Sequence, residues 1–151
     1  MDINDYLLPV DGSDWRALLV DWLPDLPPSF TLWLVNRFGD LFFVLDDGAV
    51  LWLDVRSGQL TRLADTREAF AALLDVGDYA EQWLHLSLVD ACVEAGLVPA
   101  EGQCYGFRQP LELGGSATVG NVEVLGLAVH YALLAELRRR ARTAAGPAGS
   151  A

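Results

Sequence analysis

The chain has 151 residues, 52% of them hydrophobic, and a formal net charge of −11. Its length predicts one domain with one core, and no apolar run reaches the roughly 20 residues that a membrane-spanning helix needs. The N-terminus MDINDYLLPVDGSDW carries acids and lacks the basic region of a signal peptide. We therefore expect a cytoplasmic protein with no membrane partner.

The charge is unevenly distributed along the chain. Residues 1–102 contain 18 acids and five arginines, residues 103–151 contain three acids and five arginines, and lysine is absent. Phosphate contacts need a basic face, so this composition disfavours direct binding of nucleic acid. The excess of acids fits a basic protein partner, and it equally fits a surface that only keeps the domain soluble.

The first half of the chain predicts one helix and then a β-meander. DWRALLVDWL is helical in pattern, with Ser13 as the expected N-cap and three prolines after it. Turn sequences at 46–48 and 56–58 then separate three apolar runs. These runs predict the strands Leu41–Leu45, Val50–Val55 and Leu60–Leu63. The preceding FTLWLVN fits either a fourth strand or a short helix.

The second half predicts three helices. Asp65 or Thr66 caps a helix over Glu68–Leu74, and the other two span about Tyr79–Ala95 and Leu127–Arg142. The fold class is therefore α+β, a single domain whose antiparallel meander of three to five strands is covered by C-terminal helices. We expect a lead-in helix and proline-rich segment over 1–37, the α+β domain over 38–142 and a disordered tail over 143–151.

Few residues in the chain suit catalysis or metal binding. We expect Cys92 and Cys104 to be buried free thiols, because free cysteine is among the most buried residue types. A Cys104–His130 pair remains open as a nucleophile and base, although a histidine in an apolar helix is usually a packed one. The pattern shows no metal site, no phosphate loop and no cofactor site.

The stretch QCYGFRQPLELGG, residues 103–115, is rich in residues with special backbone roles. Tyr105 and Phe107 flank Gly106, so both rings fall on one strand face. Pro110 bars continuation as a central strand, and Gly114 with Gly115 allows positive φ or a close backbone approach. We interpret the stretch as architecture. Asp54, before the Arg-Ser-Gly turn, is similarly expected to accept turn amides.

Three segments taken together resemble a known family. They are FGDLFFVLDDGAVLWLDVRSGQLTRLA (38–64), QCYGFRQPLELGG (103–115) and NVEVLGLAVHYALLAELRRR (121–140). In this order they resemble the C-terminal domain of bacterial immunity proteins that protect against type VI secretion DNase effectors. The resemblance covers about residues 38–142. Its motif positions in this chain are Gly39, Asp40, Asp54, Gly58, Tyr105, Gly106, Phe107, Pro110, Gly114, Gly115 and Asn121.

The resemblance implies a non-enzymatic antitoxin that binds and blocks a secreted toxin, one that acts on nucleic acid or a nucleotide. We expect a monomer or weak homodimer. The candidate toxin contacts are loop acids that the fold does not need, namely Asp46, Asp47, Asp75, Asp78 and Glu101. One alternative is an adaptor or chaperone for a secreted effector. A less favoured alternative is an enzyme or small-ligand binder with Cys104, His130 or Tyr131 lining a pocket.

Overall fold

The computed structural model describes residues 2–145 and contains two antiparallel sheets. The larger sheet is a five-stranded meander in chain order, with strands β1 Leu7–Leu8, β2 Thr31–Asn36, β3 Leu41–Val44, β4 Val50–Asp54 and β5 Gln59–Ala64. The smaller sheet pairs β6 Gln103–Phe107 with β7 Val122–Gly126. The α+β class and the antiparallel meander are confirmed, and FTLWLVN forms a strand. The second sheet was not predicted.

In the described part of the chain, five α-helices accompany the sheets: α1 Trp15–Leu18, α2 Arg67–Leu73, α3 Tyr79–Leu84, α4 Leu86–Glu94 and α5 Leu127–Ala145. Thr66 caps α2 by accepting a hydrogen bond from the Ala69 amide, as one of the two predictions had it. The predicted cap of the first helix is wrong, because Asp14 and not Ser13 accepts from the amide of Ala17. That helix is also short, ending at Leu18.

The larger sheet is covered on both faces, which explains its nearly continuous hydrophobic runs. On one face Phe43 and Leu53 pack with Trp22 from the N-terminal segment and with Tyr131 from α5. On the other face Phe42 packs with residues of α2 and α3, among them Phe70 and Trp83. The N-terminal segment therefore shares one core with the strands that follow it. Leu51 and Leu53 are buried in β4.

The helix predicted over Tyr79–Ala95 is wrong in one respect. His85 adopts a left-handed conformation, with φ of 56° and ψ of 47°, and divides the segment into α3 and α4. Helical periodicity continues across this break, with Trp83 buried before it and Val89 buried after it. The sequence pattern therefore does not reveal the break.

The interpretation of the Gln103–Gly115 stretch as architecture agrees with its geometry. Tyr105 and Phe107 both contact Phe38, with ring centroids 5.3 Å apart in each pair. Gly114 has a φ of 95°. At Gly115, a Cβ atom would lie 1.9 Å from the carbonyl oxygen of Gln109.

Asn121 fastens the loop that carries these two glycines. Its side-chain nitrogen donates to the carbonyl groups of Gln109 and Ser116, and its side-chain oxygen accepts from the Gln109 amide. The last helix continues three residues beyond the predicted Arg142. The rest of the predicted disordered tail, residues 146–151, lies outside the described residues.

Candidate functional site

The five acids predicted to contact a toxin occupy three different loops. Asp46 and Asp47 are exposed in the β3–β4 turn, where Asp46 accepts from the Ser29 hydroxyl and Asp47 accepts from the Ala49 amide at 3.0 Å. Asp47 is therefore an Asx-turn residue as well as a surface charge.

The other three acids are exposed, and in the described chain their side chains make no polar contact that stabilises the fold. Asp75 and Asp78 lie in the α2–α3 turn beside Val76 and Tyr79, which are 51% and 38% exposed. Glu101 lies before β6 and approaches Gly12. Within residues 2–145, the side chains of these three acids take part in no hydrogen bond or ion pair.

A cavity of about 310 Å³ opens at the opposite end of the larger sheet from the β3–β4 turn. We call it the end pocket. Its wall comes from the β2–β3 and β4–β5 connections, the α3–α4 junction, the smaller sheet and α5. Most of this wall is apolar, and its principal apolar residues are Phe38, Phe107, Leu111, Leu125, Leu134 and Leu137.

Asp40 is the least exposed charged residue of the pocket lining and belongs to its floor. The residue is 3% exposed, and its carboxylate accepts from the side-chain amide of Asn36 at 2.8 Å and from the Val55 amide at 3.1 Å. The carboxylate oxygen that accepts from Asn36 also lies 3.3 Å from Nε2 of His85. Gly39, with φ of 85°, permits the tight connection that brings Asp40 here.

His85 reaches Asp40 from a strained backbone position. It is the only non-glycine residue with positive φ in the described chain, a conformation that costs a side chain about 1–2 kcal/mol. Its ring also contacts Phe38, with centroids 4.8 Å apart. Backbone strain of this kind is concentrated at functional sites. The strained break between α3 and α4 therefore makes the end pocket a candidate functional site.

Asp54 is the second carboxylate of the floor. It accepts from the Arg56 amide at 3.1 Å and from the Ser57 hydroxyl at 3.0 Å, which confirms the predicted turn role. Burial raises the pKa of the Asp54 carboxyl, and the nearby charge of Asp40 raises that pKa further. Two negative groups in a partly desolvated place thus oppose each other.

His130 completes the floor from α5. Nε2 of its ring lies 2.9 Å from the Phe38 carbonyl oxygen, so this nitrogen carries a proton and donates it. Burial lowers the pKa of His130, which keeps the ring neutral and leaves Nδ1 as an acceptor. A Cβ atom on Gly106 would lie 3.2 Å from this Nδ1, which has no hydrogen-bond partner among the described residues.

The structure does not bring Cys104 and His130 together as a catalytic pair. Burial raises the pKa of the Cys104 thiol to about 12, so the reactive thiolate is not formed near neutral pH. Neither Cys104 nor Tyr131 lines the end pocket, and the Tyr131 hydroxyl instead donates to the Gly39 carbonyl oxygen at 2.7 Å. Cys92 is likewise a buried free thiol.

These features can be compared with known proteins. Residues 64–138, about half of the chain, match the family model described as T6SS immunity protein Tdi1, C-terminal, in which T6SS is the type VI secretion system. The chain carries a domain of this family. No curated protein matches the chain. The match begins later than the resemblance read from the sequence, which starts at residue 38.

The immunity-family segment, residues 64–138, supplies only part of the end pocket. It contains His85, Gly106 and His130, whereas Asp40 in the β2–β3 connection and Asp54 at the end of β4 come before it. The pocket therefore forms where the immunity-family segment meets the larger sheet.

The mouth of the end pocket carries paired charges. Arg56 contacts Glu112 at 2.9 Å, Arg140 contacts Glu136 at 2.9 Å, and Arg108 lies 4.0 Å from Glu123. The three glutamates are thus balanced by three arginines. Asp40 and Asp54 remain as the surplus negative charge of the pocket lining, although Arg56 approaches Asp54 from outside at 3.7 Å.

A second, more open depression lies between α1 and the start of α5. This α1–α5 groove has a volume of about 470 Å³ and includes Val20 and Val129, which are 60% and 54% exposed. Asp14 and Asp21 also line it, and no described residue of its lining is basic. Nothing in the sequence around these two acids distinguishes them from other surface acids, so their place in a groove could not be predicted.

Two further features are absent from residues 2–145. None of the helices there combines the length and the apolar composition needed to cross a bilayer. The same residues hold no group of three or more side chains placed to bind a metal ion together.

Proposed function

We propose that this type VI secretion immunity protein is non-enzymatic and acts by binding a cognate secreted toxin and covering its active site. The family match of residues 64–138 is the observation that carries the proposal. In the proposed complex the toxin acts on nucleic acid or a nucleotide, because a cleft that holds phosphates is basic and suits an acidic inhibitor.

The charge distribution supports an inhibitor that acts by electrostatic complementarity. The net charge is −11, and several acids are exposed in loops where the fold makes little use of them. The candidate contacts remain Asp46, Asp47, Asp75, Asp78 and Glu101. The α1–α5 groove adds apolar surface beside Asp14 and Asp21, which suits the basic rim of such a cleft.

The chemistry of the end pocket supports a binding role over catalysis. Asp40 and His85 are arranged as an acid–histidine pair, and a nucleophilic mechanism would need a hydroxyl or thiol beside them. The described residues that line the pocket include no serine, threonine or cysteine. The same residues can bind a group through hydrogen bonds and apolar contacts.

The central test is co-expression with the toxin encoded beside this gene in a sensitive bacterium, combined with a pull-down. We expect rescued growth and a stoichiometric complex with nanomolar affinity, about −12 kcal/mol. An adaptor or chaperone would bind the neighbouring product without rescuing growth. Rescue without binding would overturn the inhibitor mechanism.

The contribution of the β3–β4 turn can be tested through association rates. Reversing charge at Asp46 and Asp47 together (D46K/D47K) should slow association about tenfold at low salt, because steering acts mainly on the on-rate. The matched control reverses the exposed helix acids Glu68 and Glu94 (E68K/E94K), which changes the net charge equally. Equal slowing by both variants in stopped-flow would show that only the overall charge matters.

A further inference from the structure

The floor of the end pocket offers more hydrogen-bond acceptor sites than its own donors fill. Of the roughly four sites that each carboxylate offers, Asp40 uses three and Asp54 uses two. The carboxylates of Asp40 and Asp54 accept only, and Nδ1 of His130 is an acceptor because Nε2 is committed to the Phe38 carbonyl group. His85 directs its Nε2 to Asp40 and not to Asp54. A group that binds here must therefore bring donors, and a positive charge would relieve the repulsion between the two carboxylates.

The walls of the pocket define the rest of the occupant. Phe38 and Phe107 stack with their planes 26° apart, and aromatic faces attract cations. Leucines of β7 and α5 line the path to the floor and suit an aliphatic stem. The arginine–glutamate pairs at the mouth are balanced, so they present no excess of positive charge against an entering cation.

An arginine side chain combines these properties. Its guanidinium group carries five N–H donors in a fixed planar arrangement and remains charged at all accessible pH values. Lysine has a compact ammonium group and fewer donors, so it would satisfy three separated acceptors less well. Glycine at position 106 allows β6 to pack closely against the His130 ring, because a Cβ atom there would meet Leu125 at 2.8 Å and Nδ1 of His130 at 3.2 Å.

We infer that the end pocket binds an arginine side chain of the cognate toxin, held between Asp40, Asp54 and Nδ1 of His130. This inference rests on the proposed function, because it assigns one anchoring contact of the same complex. The toxin chemistry agrees with it, since a protein that holds phosphates exposes arginines in its cleft. A buried aromatic or arginine anchor is also the usual centre of a tight interface.

The first test removes the negative charge of Asp54 and keeps the hydrogen bond that this residue accepts in the β4–β5 turn. In D54N the remaining amide oxygen still accepts from the Arg56 amide, because asparagine forms the same Asx-turn. D2N is the matched control, because Asp2 makes the equivalent bond to the Asn4 amide and does not line the pocket. We expect D54N to weaken toxin binding at least about tenfold by calorimetry, and D2N to change it less than about twofold.

A second variant tests the same pocket without changing the β4–β5 turn. Leu133 lines the pocket and is 54% exposed, so L133R should fold normally while it places a positive charge at the mouth. We expect L133R to weaken toxin binding to a similar extent. A crystal structure of the complex should show a toxin arginine within hydrogen-bond distance of Asp54.

Several results would overturn the inference. If the toxin binds the wild-type protein tightly and binds D54N and L133R equally well, the anchor is wrong while the proposed function stands. If these variants change only self-association in sedimentation, the occupant is an arginine of a second copy. If Nα-acetylarginine amide shifts the pocket resonances in NMR but the variants leave toxin affinity unchanged, the pocket binds a small cation instead. If the wild-type protein does not bind the toxin, both proposals fail together.

Discussion

At one end of the larger sheet, the β3–β4 turn exposes Asp46 and Asp47 to solvent. At the other end, the β2–β3 and β4–β5 connections bury Asp40 and largely enclose Asp54. Asp47 and Asp54 form the same local structure, since each accepts from the amide two residues later, at 3.0 and 3.1 Å. The difference between the two ends therefore lies in what covers each turn, and only the covered one becomes part of a pocket.

The largest expected loss of stability comes from a change in the β6–β7 loop, which lines the end pocket at the covered end of the sheet. Gly115→Val would place Cβ 1.9 Å from the Gln109 carbonyl oxygen and 2.8 Å from the side-chain nitrogen of Asn121. The backbone must move and the bonds of Asn121 must break, so we expect a loss of about 3 kcal/mol in the free energy of unfolding. Gly120→Val is the control, because a Cβ there meets nothing within 4 Å. Thermal denaturation that shows equal losses would contradict this role of Gly115.

The packing at the two ends of the sheet can be compared directly at two glycines with similar backbone conformations. Gly39 and Gly48 have φ of 85° and 93°. At Gly39 a Cβ would lie 2.9 Å from the buried His130 ring and 3.3 Å from the Tyr131 hydroxyl, whereas at Gly48 the nearest atom is 3.6 Å away. We expect Gly48→Ala to cost about 1 kcal/mol from the backbone alone and Gly39→Ala about 2–3 kcal/mol. Urea denaturation of both variants tests this, and equal costs would show that the covered end adapts freely.

The covered end also predicts a pH dependence of stability. Burial lowers the folded-state pKa of His130 below its ordinary 6.5, so the unfolded chain binds the proton first. Stability from the neutral ring is fully present above pH 6.5 and is lost as pH falls toward the lowered pKa, by up to about 1.4 kcal/mol per pH unit. His130→Gln keeps a donor for the Phe38 carbonyl group and removes the titration. The loss of stability between pH 7 and pH 5.5 should therefore be smaller in this variant, and an equal loss would assign the dependence to other groups.

The smallest expected effect concerns the two cysteines, which are both buried in the core. Burial raises the pKa of each thiol, so neither is suited to act as a nucleophile. Replacing both by alanine should cost about 1 kcal/mol each through packing and should leave protection from the toxin within a few-fold. Complete loss of protection by a folded double variant would show that a thiol acts in function.

Local chemistry in the sequence was sufficient to predict the elements of the larger sheet. The turn residues at 46–48 and 56–58 define where β3, β4 and β5 begin and end to within a residue or two, because turns depend on neighbouring residues. The same reasoning identified the role of Asp54 and the constraints at Gly114 and Gly115. It did not identify the pairing of β6 with β7, since these strands are separated by a long loop and their pairing depends on contacts distant in sequence.

The sequence by itself determined the net charge of this protein, the meander and the resemblance that leads to an immunity role. Tertiary structure alone decided that Asp40, Asp54, His85 and His130, from four separate segments, share one pocket floor. Hydrophobic periodicity indicates only which face of an element is buried, so it could not predict the left-handed backbone of His85. That conformation is held by packing against Phe38 and Asp40, which are more than forty residues away in the chain. Exposure of a carboxylate follows from what folds over it, and no local pattern encodes that.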